Sequence, residues 1–371
     1  MKNVADFKVV MIGTFQQQAE ALSTQFSNVF VLYNESNPPR NILEMLKSTS
    51  LNLIPYTAGT FLKEIKSWYL IINRIEPDVI YANGFRQLII LSGVFRIFRF
   101  RKQAPLILAT SHNFFAWNTT YKRYAIAAIC SVFADGIFLL AKYQEVWLKK
   151  NVWNKNNIRY IPNAVDVNQF SPLILEKESD SEVLRIVTIA DYNPNKGQDV
   201  LIRAVQNLVQ KNINVEVLLV GKDITQGKYL NDLRQLIRQM GLEQKINLYG
   251  PVTHEDIPGI INSADIAILP SWGEVCSYFI QEAMACEKLV VASSVGGNLD
   301  LIEDGITGLL FPPGDVLALE GVILIGYNDK SLRKKIALNA RKYMFDKFCF
   351  SAIGIQHMAF IDYLVRRKRL L

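Results

Sequence analysis

The chain has 371 residues, half of them hydrophobic and a fifth charged, with a formal net charge of +7 and a sequence pI near 9.0. This composition excludes a disordered chain, because it supplies enough apolar side chains for sizeable cores, and the length suits two domains. The positive charge suits an anionic partner, such as nucleotide phosphates, a lipid phosphate or an anionic membrane face, but no motif typical of nucleic-acid recognition accompanies it.

Other protein classes are disfavoured by the cysteines, the first residues and the most apolar stretch. None of the four cysteines belongs to a Cys-x-x-Cys pair, which argues against a disulfide framework and a zinc site. The first eight residues carry scattered charges and no long apolar core, so we expect no signal peptide and a cytoplasmic protein. Residues 124–141 approach the length of a membrane span but contain Asp135, so we predict a buried helix, a turn and a strand.

Short apolar strands alternate with amphipathic helices along the chain, which predicts parallel sheets covered by helices on both faces. In the first half, the predicted strands are residues 7–12, 29–33, 79–81, 106–110, 136–140 and 158–161. In the second half, strands are predicted at 184–189, 215–220, 246–249, 266–269 and 289–292, with helices at 196–211, 229–240 and 278–286.

The alternation is interrupted by a proline and a charged run at residues 171–183, which indicates a linker. We therefore predict an α/β protein with a Rossmann-like domain at residues 1–170 and another at 184–349. A last helix within residues 350–371 is expected to return to the N-terminal domain.

One segment of the second half carries two carboxylates eight positions apart, Glu274 and Glu282. Glu274 lies in a loop beyond the carboxyl end of a predicted strand, where open α/β sheets bind ligands. Glu282 lies about one turn inside the next helix, whose free N–H groups near Ser277 and Tyr278 suit a diphosphate. The alternative is that Glu282 is a solvated helix residue without a function.

A second segment places Lys196 after a strand, at the predicted start of a helix. A cation there opposes the helix dipole, a conflict that is expected at a working site where the lysine would neutralise a phosphate. The alternative is a surface lysine beside a turn glycine, Gly197.

Taken together, three motifs resemble the retaining GT-B glycosyltransferases of family four, and the resemblance covers most of the chain. The motifs are residues 161–166 with Phe170, the pair Lys196-Gly197, and the Glu274-x7-Glu282 segment running into the loops at 296–297 and 304–308. The resemblance implies two doubly wound parallel-sheet domains facing a cleft, with a nucleotide-diphosphate-sugar donor in the C-terminal domain and an acceptor in the N-terminal domain. It also implies that neither a metal nor another cofactor is required.

The resemblance further implies a role for each residue of the donor site. Lys196 would contact the diphosphate, Glu282 the ribose and Glu274 the transferred sugar, while Gly221 would let the nucleotide approach. The backbone N–H groups that complete the sugar site would belong to Val275, Cys276, Ser277 and Tyr278.

In the N-terminal domain, the resemblance places His112 near the sugar and diphosphate, although a histidine beyond a strand is often structural. Gly13 corresponds to the glycine loop of the family, but the second glycine is missing. The family usually has an arginine where this chain has Asp191. That departure leaves more of the charge neutralisation to Lys196, or to another cation such as Lys222.

The expected reaction is front-face transfer with retention from a UDP- or GDP-sugar to a glycan or polyprenyl-linked acceptor, in cell-envelope or capsular polysaccharide synthesis. Residues 88–102 mix cations with apolar side chains, so they suit peripheral contact with the inner face of an anionic membrane, or are a packed helix with a solvated end. The cationic cluster at residues 366–369 would add to such a contact. Two alternatives stay open: a non-catalytic nucleotide-sugar-binding protein, supported by Asp191, and a dinucleotide-dependent oxidoreductase, weakened by the missing Gly-x-Gly-x-x-Gly.

Overall fold

The computed structural model describes residues 3–12, 16–35, 51–57, 59–84, 87–88, 90–91, 105–110, 120–152, 155–173 and 183–370. The chain divides into two compact units. The first comprises Met1–Ala164 and Cys349–Leu371, and the second comprises Val165–Phe348. Each unit is built on one parallel sheet.

In the described part of the first unit, the sheet has seven strands in the order β3-β2-β1-β4-β5-β6-β7. All neighbouring strands are parallel, and apolar clusters cover both faces because alternate residues of each strand point to opposite sides. The strands are β1 (Lys8–Ile12), β2 (Asn28–Asn34), β3 (Leu51–Tyr56), β4 (Val79–Asn83), β5 (Leu106–Thr110), β6 (Gly136–Leu139) and β7 (Ile158–Tyr160).

The helices described for this unit begin with α1 (Gln16–Ser23), α2 (Phe61–Ile75), α3 (Thr120–Phe133) and α4 (Lys142–Asn151). The C-terminal helix, Phe350–Leu370, packs against α1. A side chain at Gly354 would overlap the Ala21 carbonyl, so this glycine permits the close approach of the two helices. The C-terminal helix is therefore part of the first unit.

The predicted turn at Asp135 is confirmed. The α3 helix ends at Phe133, and the Asp135 carboxylate accepts a hydrogen bond from Ile107 N at 2.8 Å just before β6 begins. Among the residues that the structure describes, no helix combines the length and apolar character needed to span a membrane.

The described sheet of the second unit has six parallel strands in the order β10-β9-β8-β11-β12-β13. They are β8 (Leu184–Ile189), β9 (Val215–Val220), β10 (Ile246–Tyr249), β11 (Ile266–Leu269), β12 (Leu289–Ser293) and β13 (Leu309–Phe311). The helices are α5 (Gln198–Gln210), α6 (Lys228–Gln239), α7 (Ile257–Asn262), α8 (Tyr278–Ala285), α9 (Asn298–Leu301), α10 (Val316–Asn328) and α11 (Lys330–Lys347).

Two strands, β3 and β13, were not predicted from the sequence. The β3 strand lies at the edge of its sheet and contains Pro55, which a central strand would not tolerate because proline has no N–H to donate. The β13 strand is only three residues long and also lies at an edge. Both strands are therefore hard to predict from the pattern of apolar residues in the sequence.

Candidate functional site

Three loops of the second unit follow β8, β11 and β12, which are neighbours in its sheet. Because parallel strands end at the same edge, the loops carrying Lys196, Glu274 and the Gly296-Gly297 pair lie side by side. These are the three loops that the sequence predicts to line one site.

The first loop carries Lys196 in a single 3-10 turn, Pro194–Lys196, rather than in the helix. Gly197 follows with φ 65°, a left-handed conformation, and α5 begins only at the next residue. A side chain at Gly197 would overlap the Pro270 carbonyl of the neighbouring loop. The predicted helix start at Lys196 is thus wrong by two residues, because the glycine turns the chain before the helix begins.

Backbone and side-chain hydrogen bonds join the first loop to the second. Trp272 N donates to Asn195 O at 2.8 Å, and Asn195 Nδ2 donates to Gly273 O at 3.0 Å. Beside these bonds, Lys196 Nζ lies 2.6 Å from Glu274 Oε1. The side chains are 24% and 9% exposed, so the pair is largely shielded from water and retains an opening to it.

The third loop packs against the second through its glycine pair. Gly297 N donates to Glu274 O at 3.0 Å, and a side chain at Gly297 would overlap the Val275 carbonyl. Asn298 Nδ2 closes the loop by donating to Ser293 O at 2.9 Å. The glycine therefore fixes the backbone that holds Glu274.

Glu282 lies on the fifth residue of α8, one turn inside the helix as predicted. The helix begins with Ser277 as N-cap, whose hydroxyl accepts from Ile280 N. Glu282 is only 5% exposed, so the alternative of a solvated helix residue is wrong. A buried carboxylate requires polar partners, and one of them is His254, whose Nε2 lies 3.5 Å from Glu282 Oε1.

His254 was not identified from the sequence. It lies between β10 and α7, in a polar run that is typical of an exposed loop. Gln169 Nε2 lies 3.2 Å from its Nδ1, and the ring of Phe170 contacts it edge-on with centroids 5.3 Å apart. Gln169 and Phe170 thus contact His254, and His254 in turn lies next to Glu282.

The Tyr278 hydroxyl is buried and has no hydrogen-bond partner within the described structure. Burial, reinforced by Cys276 and by Glu282, raises the pKa of Tyr278 far above its ordinary value. The phenol is therefore neutral at physiological pH, and it belongs to the first residue of α8.

Three more residues with roles expected from the sequence follow the carboxyl ends of β8 and β9: Asp191, Gly221 and Lys222. A side chain at Gly221 would overlap the Ala190 carbonyl, so packing within the protein already requires this glycine. Asp191 is exposed, and its backbone carbonyl accepts from Gln198 Nε2 at 3.1 Å. Lys222 is exposed too, and its carbonyl accepts from Tyr192 N at 2.8 Å.

Several expectations concern residues for which the structure says little or nothing. His112 and Gly13 lie outside the described residues, as does most of the segment 88–102. Part of the charge in the C-terminal cationic cluster is paired within the first unit. Arg366 lies 2.8 Å from Asp362, and Lys368 Nζ lies 3.7 Å from Asp135 Oδ1.

Comparison with curated proteins finds relatives that are glycosyltransferases. The alpha-D-kanosaminyltransferase of Streptomyces kanamyceticus is 31% identical over 161 residues, covering 43% of this chain and 41% of that protein. The chain thus spans about two fifths of this relative's length. A UDP-Gal:alpha-D-GlcNAc-diphosphoundecaprenol alpha-1,3-galactosyltransferase of Escherichia coli is 22% identical over 338 residues, 85% of this chain and 84% of that protein.

Solved structures share the fold over nearly the whole chain. Anabaena HepE in complex with UDP and glucose has a TM-score of 0.81 at 20% identity, covering 96% of this chain and all of that one. Sucrose-phosphate synthase from Thermosynechococcus elongatus has a TM-score of 0.79 at 20% identity, covering 97% of this chain and all of that one. These similarities confirm the predicted GT-B fold.

The family comparison covers the segment that contains Lys196, Glu274 and Glu282. Residues 174–343 match the model described as glycosyl transferases group 1. Most of the second unit lies inside this match. The resemblance suggested by the three sequence motifs is therefore confirmed: residues 174–343 of the chain are similar to the group 1 glycosyl transferases.

Proposed function

We propose that the chain transfers a sugar, with retention, from a UDP- or GDP-sugar to a glycan or lipid-linked acceptor. The observation that carries the proposal is the Lys196–Glu274 pair at 2.6 Å, held next to the first turn of α8 in the family-matched segment. A cation, a carboxylate and a helix N-terminus at one sheet edge supply what a sugar diphosphate requires: charge neutralisation, acceptors for hydroxyls and N–H donors.

In this proposal each side chain has a separate partner on the donor. Lys196 neutralises the diphosphate, Glu274 accepts hydrogen bonds from hydroxyls of the transferred sugar, and Glu282 accepts from the ribose hydroxyls. The N–H groups of residues 275–278 complete the sugar site, and the nucleotide lies near Gly221. His112 and Gly13 belong to the proposed site by resemblance alone.

The proposed reaction breaks the bond between the sugar C1 and the diphosphate oxygen, and forms a bond from C1 to an acceptor oxygen on the same face. The acceptor proton passes to the departing phosphate oxygen, so no side chain has to serve as a nucleophile. Negative charge develops on the diphosphate as it leaves, and a preorganised cation and N–H groups stabilise that charge more than the ground state. The site as proposed works without a metal ion.

The lipid-linked acceptor is supported by the E. coli relative, whose name specifies a diphosphoundecaprenol-linked acceptor and which aligns along most of this chain. A polyprenyl-linked acceptor suits a role in cell-envelope polysaccharide synthesis at a membrane face. The net charge of +7 suits peripheral attraction to an anionic membrane.

The two alternatives from the sequence are less well supported. A dinucleotide-dependent oxidoreductase does not account for the family match or for the Lys196–Glu274 pair. A non-catalytic nucleotide-sugar-binding protein remains distinguishable by experiment, because it would bind the donor and transfer nothing.

The experiment has a binding arm and a transfer arm. UDP, GDP and a panel of their sugars are titrated into the full chain by calorimetry. The nucleotide sugars that bind are then incubated with the protein and polyprenyl-diphosphate-linked acceptors. We expect one nucleotide to bind and one donor to yield product whose new linkage has the donor's anomeric configuration by NMR. Binding without transfer to any acceptor or to water would favour the non-catalytic alternative, and absence of nucleotide binding would overturn the proposal.

A further inference from the structure

His254 connects the carboxylate proposed for the ribose to the start of the second unit. Its Nε2 lies 3.5 Å from Glu282 Oε1, and its Nδ1 lies 3.2 Å from Gln169 Nε2. Phe170 holds the ring edge-on from the side. The histidine is therefore oriented by contacts on three sides.

The contact with Gln169 selects the tautomer of the imidazole. An amide nitrogen can only donate, so the Nδ1 atom that faces Gln169 Nε2 accepts. A neutral imidazole that accepts at Nδ1 carries its proton on Nε2, the nitrogen that faces Glu282. The two side-chain contacts are thus mutually consistent: Gln169 donates to Nδ1, and the protonated Nε2 is the ring nitrogen that lies 3.5 Å from Glu282 Oε1.

The His254–Glu282 distance is longer than an ordinary hydrogen bond, and at 3.5 Å the contact is an electrostatic one in this structure. Hydrogen bonds in active sites are often long without substrate and shorten in the complex. Glu282 is 7% exposed at its side chain, and a buried carboxylate keeps its orientation only where donors hold it. His254 Nε2 lies close enough to Oε1 to become such a donor once the contact shortens.

We propose that His254 is a positioning residue for Glu282, with its tautomer set by Gln169. It holds Oε1 and leaves Oε2 to accept from the donor's ribose hydroxyls. This inference rests on the proposed function, because it assigns a support to the carboxylate that the proposal places on the ribose. It also gives Gln169, the residue before Phe170, an indirect part in nucleotide recognition, because Gln169 sets the tautomer of His254.

The test compares two substitutions that place a donor at different ring positions. His254→Gln can present its amide nitrogen near the position of Nε2, whereas His254→Asn reaches only the position of Nδ1 and leaves Glu282 without this donor. We expect His254→Asn to weaken nucleotide binding about tenfold, and His254→Gln to retain most of the affinity. Thermal melting of both variants verifies that they are folded.

A ligand-based readout separates positioning from a general structural effect. Calorimetry with UDP and 2′,3′-dideoxy-UDP, or with the guanine pair if only GDP binds, measures the contribution of the two ribose hydroxyls. The inference predicts that His254→Asn reduces the preference for the ribonucleotide while leaving affinity for the dideoxynucleotide nearly unchanged. In a Glu282→Gln background, the same His254 substitution should have little further effect on this preference.

The outcomes also separate this inference from the proposed function. If the wild-type chain binds neither nucleotide, the proposed function itself fails. If the wild type prefers the ribonucleotide and His254→Asn keeps the full preference, the proposed function stands and the positioning role of His254 is overturned. Equal losses of affinity for both nucleotides would likewise assign His254 to structure alone.

Discussion

Lys196 and Glu274 form an ion pair at 2.6 Å across 78 positions of sequence, and each lies in a loop that follows one of two neighbouring strands. In the proposed complex both side chains have new partners, the lysine a diphosphate and the glutamate sugar hydroxyls. The pair therefore keeps two partly buried charges neutralised until a donor arrives.

Lys196→Ala is expected to lower kcat/KM by on the order of 10²-fold, about 2.7 kcal/mol, because the cation stabilises charge that develops on the leaving diphosphate. Lys228→Ala removes an exposed lysine of the same unit and serves as the control. Steady-state kinetics with the identified donor measure both. Near-wild-type transfer by Lys196→Ala would refute the assignment of this residue to the donor.

Glu282→Gln is expected to weaken nucleotide binding and to lower turnover by about 10²-fold, because an amide presents only one acceptor oxygen to the ribose. The control is Glu243→Gln, an exposed glutamate of the second unit. Calorimetry and kinetics on the same samples show whether binding and turnover fall together. A variant that binds UDP and GDP as wild type does would contradict the ribose role.

The sequence was sufficient to place Lys196, Glu274 and Glu282 at one sheet edge, since each follows a clear apolar strand and parallel strands end together. It did not reveal that Glu282 is buried, or that Lys196 and Glu274 contact each other, because side-chain pairing depends on loop geometry. His254 could not be found at all: its partner Gln169 is 85 positions away, and neither residue belongs to an apolar pattern.

The glycines show a similar division between what sequence and structure reveal. Gly221 was predicted to admit the nucleotide, yet the Ala190 carbonyl already occupies the space where its side chain would project. The Gly296-Gly297 pair was recognised as a motif, but its packing against Val275 is evident only in the folded structure. A glycine in a sequence indicates that another group comes close to the backbone at that position. The sequence alone does not show whether that group belongs to a ligand or to the protein itself.

Gly297→Ala is expected to destabilise the second unit by roughly 1–3 kcal/mol and to abolish most activity, because the new methyl group would overlap the Val275 carbonyl. Gly321→Ala is the matched control, since a side chain there meets open space on helix α10 and alanine favours the helix. Thermal melting should fall for the first variant and stay level or rise for the second. Equal melting temperatures would contradict the packing argument.

His357, on the C-terminal helix, should make stability depend on pH. Burial lowers the pKa of His357 from 6.5 to about 3, and its Nδ1 lies 3.2 Å from the hydroxyl of buried Tyr81. The unfolded chain takes up a proton below pH 6.5 and the folded chain does not, so stability is lost as the pH falls from 6.5 towards 3, by about 1.4 kcal/mol per pH unit.

Urea unfolding of wild type and His357→Gln at several pH values between 7.5 and 4.5 measures this loss. The difference in unfolding free energy between the two proteins should change with pH below 6.5 and stay constant above it. A constant difference throughout would show that His357 does not titrate in this way.

Asp191→Arg is expected to strengthen binding of UDP or GDP, because it replaces a negative charge by a cation in the loop that carries Lys196, next to the proposed diphosphate position. Asp191 is exposed and binds Gln198 through its backbone carbonyl, so the substitution leaves that hydrogen bond in place. Exposed charge interactions contribute about 0.2–1 kcal/mol, so the gain should be roughly 1.4- to fivefold and should shrink at high salt. Asp191→Asn removes the negative charge without adding a positive one, and is expected to give a smaller gain. Calorimetry at two salt concentrations tests all three proteins, and an arginine variant that binds no better than the asparagine variant would mean that position 191 does not face the diphosphate.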